Sequence, residues 1–307
     1  MSEPQAELVL DARNATGESP VWRAQEQALY WVDIPARKLQ RWTLATQSLS
    51  SWEAPEMLAC LAPTANGHWI AGAQSGVFDL LPQADGQLGF TRMASVTHAL
   101  PDMRFNDGRC DRQGRFLAGT LWMNAVPGSS AGCVYRYQPT HDGAGQMIKL
   151  LDGFVTPNGM AFSPDGRTMY LSDSNIAVQQ IWAFDYDIDT GVPSNRRVFV
   201  DMNPMPGRPD GAAIDAEGCY WICAIDAGLV HRFRPDGKLD RSLAVPVKKP
   251  TMCAFGGAGL DTLFVTSIRP SGIDLSDQPL AGGLFALRPG VCGLPEPTFS
   301  PVPFSHS

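Results

Sequence analysis

The sequence predicts an all-β fold: a six-bladed β-propeller of four-stranded antiparallel blades, its ring closed by an N-terminal strand. Three observations carry this expectation. A turn-then-aromatic segment recurs six times between Tyr30 and Phe264, every 40 to 55 residues or so. Most copies flank a Gly-bearing turn with short apolar runs, which reads as a hairpin because Gly supplies positive φ at little steric cost. No segment offers an amphipathic helix longer than about ten residues, whereas a TIM barrel of this length needs eight of them.

Taken in order, the first copy is ESPVWRAQEQALYWVDI at 18–34, followed by the strand-like KLQRWTL. LACLAPTANGHWIAGA at 58–73 turns at ANGH and is followed by GVFDLL. RFNDGRCDRQGRFLAGT at 104–120 turns at RQGR, with CVYRYQ after it. PNGMAFSPDGRTMYLSDS at 157–174 turns at SPDGR and leads to QIWAFDYD. PDGAAIDAEGCYWICAI at 209–225 turns at AEG and precedes LVHRFRP. TMCAFGGAGLDTLFVTS at 251–267 turns at the glycine-rich GGAGL, with GLFALRP beyond. The following runs mostly alternate apolar with polar residues, as half-exposed outer strands do. AELVLDA at 6–12 stands before the first copy and is expected to complete the blade begun by TMCAFGG, which removes a free sheet edge.

The 307 residues are expected to form a single propeller domain over 1–307. Apolar content of 44% and charged content of 18% fit a globular protein. A net charge of −7, with Lys248–Lys249 the nearest approach to a basic cluster, argues against nucleic acid or an anionic membrane as partner. The N-terminal MSEPQAELVLDARN shows neither a basic n-region nor an apolar h-region, and no apolar stretch reaches about 18 residues. Seven scattered cysteines without C-x-x-C read as core thiols. Together these point to the cytoplasm; a monomer or dimer is expected.

Registering the copies on the turn glycine brings out one position. Asn106, Asn158 and Asp210 each stand eight residues before Gly114, Gly166 and Gly218. Glu18 lies 12 before Tyr30, as Asn158 lies 12 before Tyr170. The same position holds Ala59 and Met252 in the second and sixth copies. Asn and Asp before Gly are common turn residues, and that reading accounts for any one of them alone. It does not account for Glu18, nor for all four preceding the innermost strand of a blade. Equivalent positions of a ring face one axis, so two carboxylates and up to two carboxamides would converge there. Such an all-oxygen set suits Ca²⁺, Mg²⁺ or Mn²⁺ and leaves coordination positions open for water and substrate.

A zinc site would recruit His or Cys, yet His68, His98, His141, His231 and His306 fall at unrelated positions. Nucleophile-elbow, P-loop, zincin and dinucleotide motifs are absent. Asp33 and Asp173, each three after its aromatic, are read as facing neighbouring blades and tying backbone amides. Arg104, two residues before Asn106, stands near the channel mouth, where a guanidinium forks onto substrate oxygens.

These segments resemble the regucalcin/gluconolactonase, or senescence-marker-protein, family along nearly the whole chain. The likeness runs from GESPVW-x(6)-LYWVDI through RFNDG-x(2)-D-x(2)-GR-x(2)-AGT, PNG-x(3)-SPDG and PDG-x(3)-D-x(2)-G-x(2)-W to KPT-x(3)-FGG-x(5)-LFVTS. The resemblance implies a six-bladed propeller with one divalent metal and sugar-lactonase activity. It implies Glu18, Asn158 and Asp210 as metal ligands, Asn106 beside the metal or its bound ligand, and Arg104 on substrate. Where regucalcin-like members carry a substrate-touching Glu, the count lands here on Asn124.

The expected reaction is hydrolysis of an aldonolactone to its aldonic acid, with the metal as Lewis acid and Asp210 as general base. Arg104, Asn106 and Asn124 would hold the sugar. The metal is expected to be calcium first, with magnesium, manganese, zinc or iron as alternatives. Two other functions fit the same residues: phosphotriester hydrolysis, or a calcium-binding propeller without turnover. The stretches near 126–132 and 269–281 are expected to overhang the channel and select the sugar.

Overall fold

The computed structural model describes residues 5–126, 128–140 and 145–300, which form strands and turns with no helix. His141, His306 and residue 127 of the 126–132 stretch lie outside the described residues. Strand β1 (Glu7–Leu10) precedes the first blade of β2 (Gly17–Arg23), β3 (Ala28–Asp33), β4 (Lys38–Thr43) and β5 (Ser48–Glu53). Blade 2 is β6 (Leu58–Pro63), β7 (Trp69–Ala73), β8 (Gly76–Pro82) and β9 (Leu88–Ser95). Blade 3 is β10 (Met103–Cys110), β11 (Phe116–Trp122), β12 (Gly132–Gln138) and β13 (Gln146–Phe154). Blade 4 is β14 (Pro157–Phe162), β15 (Thr168–Asp173), β16 (Gln180–Tyr186) and β17 (Pro193–Asp201). Blade 5 is β18 (Arg208–Ile214), β19 (Tyr220–Ile225), β20 (Leu229–Phe233) and β21 (Leu239–Ala244). Blade 6 joins β22 (Pro250–Gly256), β23 (Thr262–Ser267) and β24 (Leu284–Leu287) to β1.

The closing strand pairs as its sequence implies: Leu8 faces Phe285 and Leu10 faces Leu284 on β24. The first strands of successive blades, β2, β6, β10, β14, β18 and β22, touch in turn and return to β2, so they line the axis of a six-bladed propeller. The recurring aromatic at the start of each second strand has a packing role. Tyr30 lies 4.5 Å from Trp69 of the next blade, and Tyr170 lies 5.1 Å from Tyr220. Each ring seals a blade–blade junction with a large apolar area.

Two expectations are corrected. The runs read as half-exposed outer strands, such as QIWAFDYD and LVHRFRP, are third strands and largely buried. A fourth strand covers each of them; Pro193–Asp201 and Leu239–Ala244 carry the exposed residues instead. Asp33 and Asp173 do tie amides, but within their own blades. Asp33 accepts from Ala15 and Thr16 N–H at 2.9 and 3.0 Å, and Asp173 from Val155 and Thr156 at 2.7 and 3.0 Å. Each thereby anchors the segment that enters its blade's axial strand.

The turn glycines Gly67, Gly114, Gly166 and Gly218 all adopt positive φ at the hairpins between first and second strands. Beneath those hairpins the chain returns once more after β24. Ala216 N–H donates to Cys292 O at 2.8 Å, Phe299 N–H to Pro63 O at 2.8 Å, and Ser300 N–H to Gly114 O at 3.0 Å. This C-terminal segment therefore runs from blade 5 to blades 2 and 3, across the end of the channel opposite Arg104. Phe299 is buried and packs edge-on to Tyr137, 5.7 Å away. Among the described residues no helix is long and apolar enough to cross a membrane, and all seven cysteines are free.

Candidate active site

Every axial strand slips register by one residue at the position singled out in the sequence. The slips fall between Glu18 and Val21, Leu58 and Cys60, and Phe105 and Gly108. The other three fall between Asn158 and Ala161, Pro209 and Ala212, and Pro250 and Cys253. A β-bulge takes one residue out of the ladder, bends the strand and re-aims a side chain. Here the repeat aims six side chains inward, and four are polar: Glu18, Asn106, Asn158 and Asp210.

Local backbone follows from that geometry. Ser19 and Gly159, each just after a polar residue, sit at φ of 53° and 60°. At Gly159 a Cβ would lie 2.4 Å from the Tyr220 hydroxyl, so Gly is required there for space as well as for φ. Tyr220 donates to Gly159 O at 2.6 Å. The bulge that carries Asn158 is thus fastened from the next blade.

Three of the four polar residues join Arg104 in one hydrogen-bonded chain. Arg104 Nη1 donates to Asn106 Oδ1 at 3.0 Å. Asn106 Nδ2 donates to Asn158 Oδ1 at 2.7 Å, and Asn158 Nδ2 to Asp210 Oδ1 at 2.7 Å and to Ser174 Oγ at 2.7 Å. Ser174 Oγ donates in turn to Pro209 O at 2.6 Å, which orients it as acceptor for the amide. Asp210 Oδ2 has no protein partner among the described residues. Glu18 stands outside the chain, with one carboxylate oxygen 3.3 Å from its neighbour's N–H at Ser19.

The charges are poorly compensated. Burial, then repulsion by Asp210 and Asp107, holds the Glu18 carboxyl well above the usual range. Burial also raises Asp210; Arg208 opposes the rise, while Asp107 and Asp226 add to it. Burial pulls the Arg104 guanidinium down to about 10, with Glu18 acting the other way, so it stays a cation at neutral pH. Burial is the main cause for both carboxyls, and Arg104 beside Glu18 and Arg208 beside Asp210 offset it only in part, so a divalent cation would add counter-charge here.

The donors fit such an ion. Two carboxylates and the Asn158 amide oxygen are hard ligands. Among the described residues no group of three or more His, Cys, Asp or Glu side chains gathers as a metal cluster. His68, His98 and His231 are committed elsewhere, to Asp79, the Gln74 carbonyl and Ser242.

Asn124 does not join this chain. It is exposed at the rim, its Nδ2 3.0 Å from Asp102 Oδ2. The 269–281 stretch connects β23 to β24 at the Arg104 end of the ring, tied to blade 1 by Arg269 N–H on Asn14 O at 2.9 Å. A surface cavity of about 990 Å³ lies elsewhere, between outer parts of blades 1 and 6 around Leu8, Trp42 and Phe264.

Sequence reasoning missed several neighbours. Arg208 stands two residues before Asp210, as Arg104 stands two before Asn106, and the same register would have found it. Its Nε bonds Asp226 at 2.7 Å and its Nη1 the Ser174 carbonyl at 2.8 Å, while Nη2 has no hydrogen bond among the described residues. Asp107 and Arg109 were read only as part of a motif string, although both are buried in the channel wall. Ser174 carries no sequence signal at all.

Comparison with known proteins identifies the family. Residues 16–269 match the SMP-30/Gluconolactonase/LRE-like region. The chain is 39% identical to 6-deoxy-6-sulfogluconolactonase of Pseudomonas putida, over 92% of this chain and 94% of that one. It is 35% identical to L-arabinolactonase of Azospirillum brasilense, over 97% of each. The crystal structure of regucalcin from Agrobacterium tumefaciens, described as a calcium-binding protein, superposes with a TM-score of 0.87 at 29% identity, covering 97% of each chain. The chain belongs to the SMP-30/gluconolactonase/LRE-like family.

Proposed function

We propose that this protein hydrolyses a sugar lactone to the corresponding aldonic acid, using a divalent cation held by Glu18, Asn158 and Asp210. The observation that carries the proposal is the chain Arg104–Asn106–Asn158–Asp210, facing Glu18 inside the channel of a protein whose relatives are named as lactonases. The bound cation supplies Lewis-acid polarisation of the lactone carbonyl.

The protein's own groups do the rest. Asp210 Oδ1 is held by Asn158, which leaves Oδ2 free to take a proton from the attacking water. Asn158 is fixed on both sides, its Oδ1 accepting from Asn106 and its Nδ2 donating to Ser174 and Asp210, so its rotamer is restrained and a second lone pair of Oδ1 is left for the cation. Asn106 and Arg104 form the substrate wall, with Arg104 donating to ring oxygens and Asn124 reaching the sugar from the rim. Arg208 Nη2 is the matching donor on the Asp210 side. The relative from Pseudomonas putida is named for a lactone bearing a sulfo group, and an unbonded guanidinium nitrogen beside the donors suits an anionic substituent of that kind.

Calcium is the first choice for the ion, in keeping with the description of the Agrobacterium protein. That description also favours a second reading, a calcium-binding propeller without turnover. A pH-stat assay over a no-enzyme blank separates the two, using aldonolactones with neutral and anionic substituents and one phosphotriester. Fast acid release from lactones, abolished by chelator and restored by Ca²⁺ or Mn²⁺, is the expected result. Silence across the panel from protein that binds the ion would establish the second reading, and activity indifferent to prolonged chelation would remove the metal. Cytoplasmic location, a single 1–307 domain and a monomeric or dimeric state complete the proposal.

A further inference from the structure

Below the donor level the channel wall holds charges that the proposed chemistry does not use. The residues that follow the six inward positions are Ser19, Cys60, Asp107, Gly159, Gly211 and Cys253, and only Asp107 is a carboxylate. It is 6% exposed, and Arg109, two residues on, is 8% exposed. Burying both charges is costly, and neither forms a salt bridge with the other. Cys60 and Cys253 at the same ring position show that this fold does not need a charge there.

Their partners indicate another role. Asp107 Oδ2 accepts the N–H of Met160 at 2.8 Å. Met160 lies inside the slip between Asn158 and Ala161, so its N–H is one that the bulge removes from the ladder. Arg109 Nη2 donates to Ala212 O at 2.8 Å, at the residue where the Asp210 strand regains register. One strand, β10, therefore fastens both bulges that aim donors from blades 4 and 5. Arg109 Nη1 also lies 3.9 Å from Glu296 Oε1, on the C-terminal segment beneath the channel. Among the described residues Asp107 Oδ1 and Arg109 Nε have no hydrogen-bond partner, so each group's fixed contacts are those to the bulges and to Glu296.

We propose that Asp107 and Arg109 are positioning residues that hold the Asn158 and Asp210 bulges in register, with Glu296 as the tie to the C-terminal segment. The inference rests on the proposed metal site, and deepens it. Partners that orient metal ligands typically change metal affinity about 10–100-fold when removed.

The test is Mn²⁺ titration of the full chain by calorimetry, with thermal melts and amide exchange of the Asn158–Ala161 backbone in parallel. In Asp107→Ala, Mn²⁺ affinity is expected to fall about 10-fold or more and Met160 exchange to accelerate. Asp107→Asn retains an acceptor for Met160 and is expected to recover most of the affinity. Arg109→Met is expected to weaken binding in the same direction, and Glu296→Gln by about 2–3-fold, through a longer and more exposed contact. Asp107→Ala and Arg109→Met proteins that melt earlier yet bind Mn²⁺ as the wild type does would overturn the proposal. If Asp107→Ala does not fold, the Asp107→Asn and Arg109→Met titrations decide: wild-type affinity in Arg109→Met overturns it equally. A wild-type protein that binds no Mn²⁺ or Ca²⁺ sinks the metal site itself, and exchange at Met160 then tests the fastening alone.

Discussion

Blades 1, 3, 4 and 5 differ from blades 2 and 6 at one position of a strand whose backbone they share. All six axial strands slip register there, but Ala59 and Met252 stand where the others carry Glu, Asn or Asp. The bulge is therefore a property of the propeller, which bends each axial strand at the same height. The polar side chain is a property of the site. In blade 6 Met252 fills the space instead: a Cβ on Gly211 would lie 2.4 Å from it. In blade 5 the same geometry presents Asp210, with an amide on one oxygen and the other oxygen open.

The sharpest way to break this comparison is at blade 5. Asp210→Ala makes blade 5 chemically like blade 2 while keeping its backbone. Lactonase kcat/KM is expected to fall by about 10³-fold or more, because the proposed ligand and the proposed general base would be lost together. Circular dichroism should be unchanged. Full activity in a folded variant would remove Asp210 from the mechanism and make its resemblance to Ala59 complete.

Blade 4 should respond less. Asn158→Ala removes one neutral donor and leaves both carboxylates, so Mn²⁺ affinity is expected to drop about 10–100-fold. Saturating metal should restore much of the turnover. Calorimetric titration followed by assay at high Mn²⁺ separates lost binding from lost chemistry. Unaltered affinity would take Asn158 out of the donor set and return it to turn chemistry.

The backbone half of the comparison is tested at Gly159. Its φ of 60° and the 2.4 Å approach of the Tyr220 hydroxyl to an added Cβ mean that Gly159→Ala must strain or shift the bulge. A loss of about 1–3 kcal/mol is expected, read as a lower melting temperature, with metal affinity weakened less than in Asn158→Ala. Stability lost without any change in metal affinity would uncouple the bulge from the aim of Asn158.

The fold was legible because the ring repeats itself. An aromatic that must seal each blade junction, such as Tyr30 against Trp69, recurs with the period of the blade, and the turn glycines recur with it. The closing strand Glu7–Leu10 was legible for a related reason, since a strand without a hairpin partner of its own needs an edge. The bounds of the fourth strands were not legible, because exposed runs such as SLSSWE carry little apolar pattern. At the site, register alone picked out Glu18, Asn106, Asn158 and Asp210, and the structure bonds three of them to Arg104 in one chain. Ser174, Asp107 and Arg109 stayed hidden. Their partners are backbone atoms 35, 53 and 103 residues away, and such contacts leave no spacing in the sequence.

The smallest effect is expected at Met252, and a small effect there is informative. Met252→Leu conserves volume at a position that is 2% exposed, so it should cost less than about 1.5 kcal/mol. Because Met252 offers no oxygen, neither Mn²⁺ affinity nor kcat should move by more than about 2-fold, roughly 0.4 kcal/mol. Met252 nevertheless presses against Gly211, the residue after Asp210, so its shape bears directly on the blade 5 bulge. A marked fall in activity with little loss of stability would mean that blade 6 helps to aim Asp210 through that contact. The division between four site blades and two filler blades would then give way to one in which Met252 acts on the site by packing rather than by ligation.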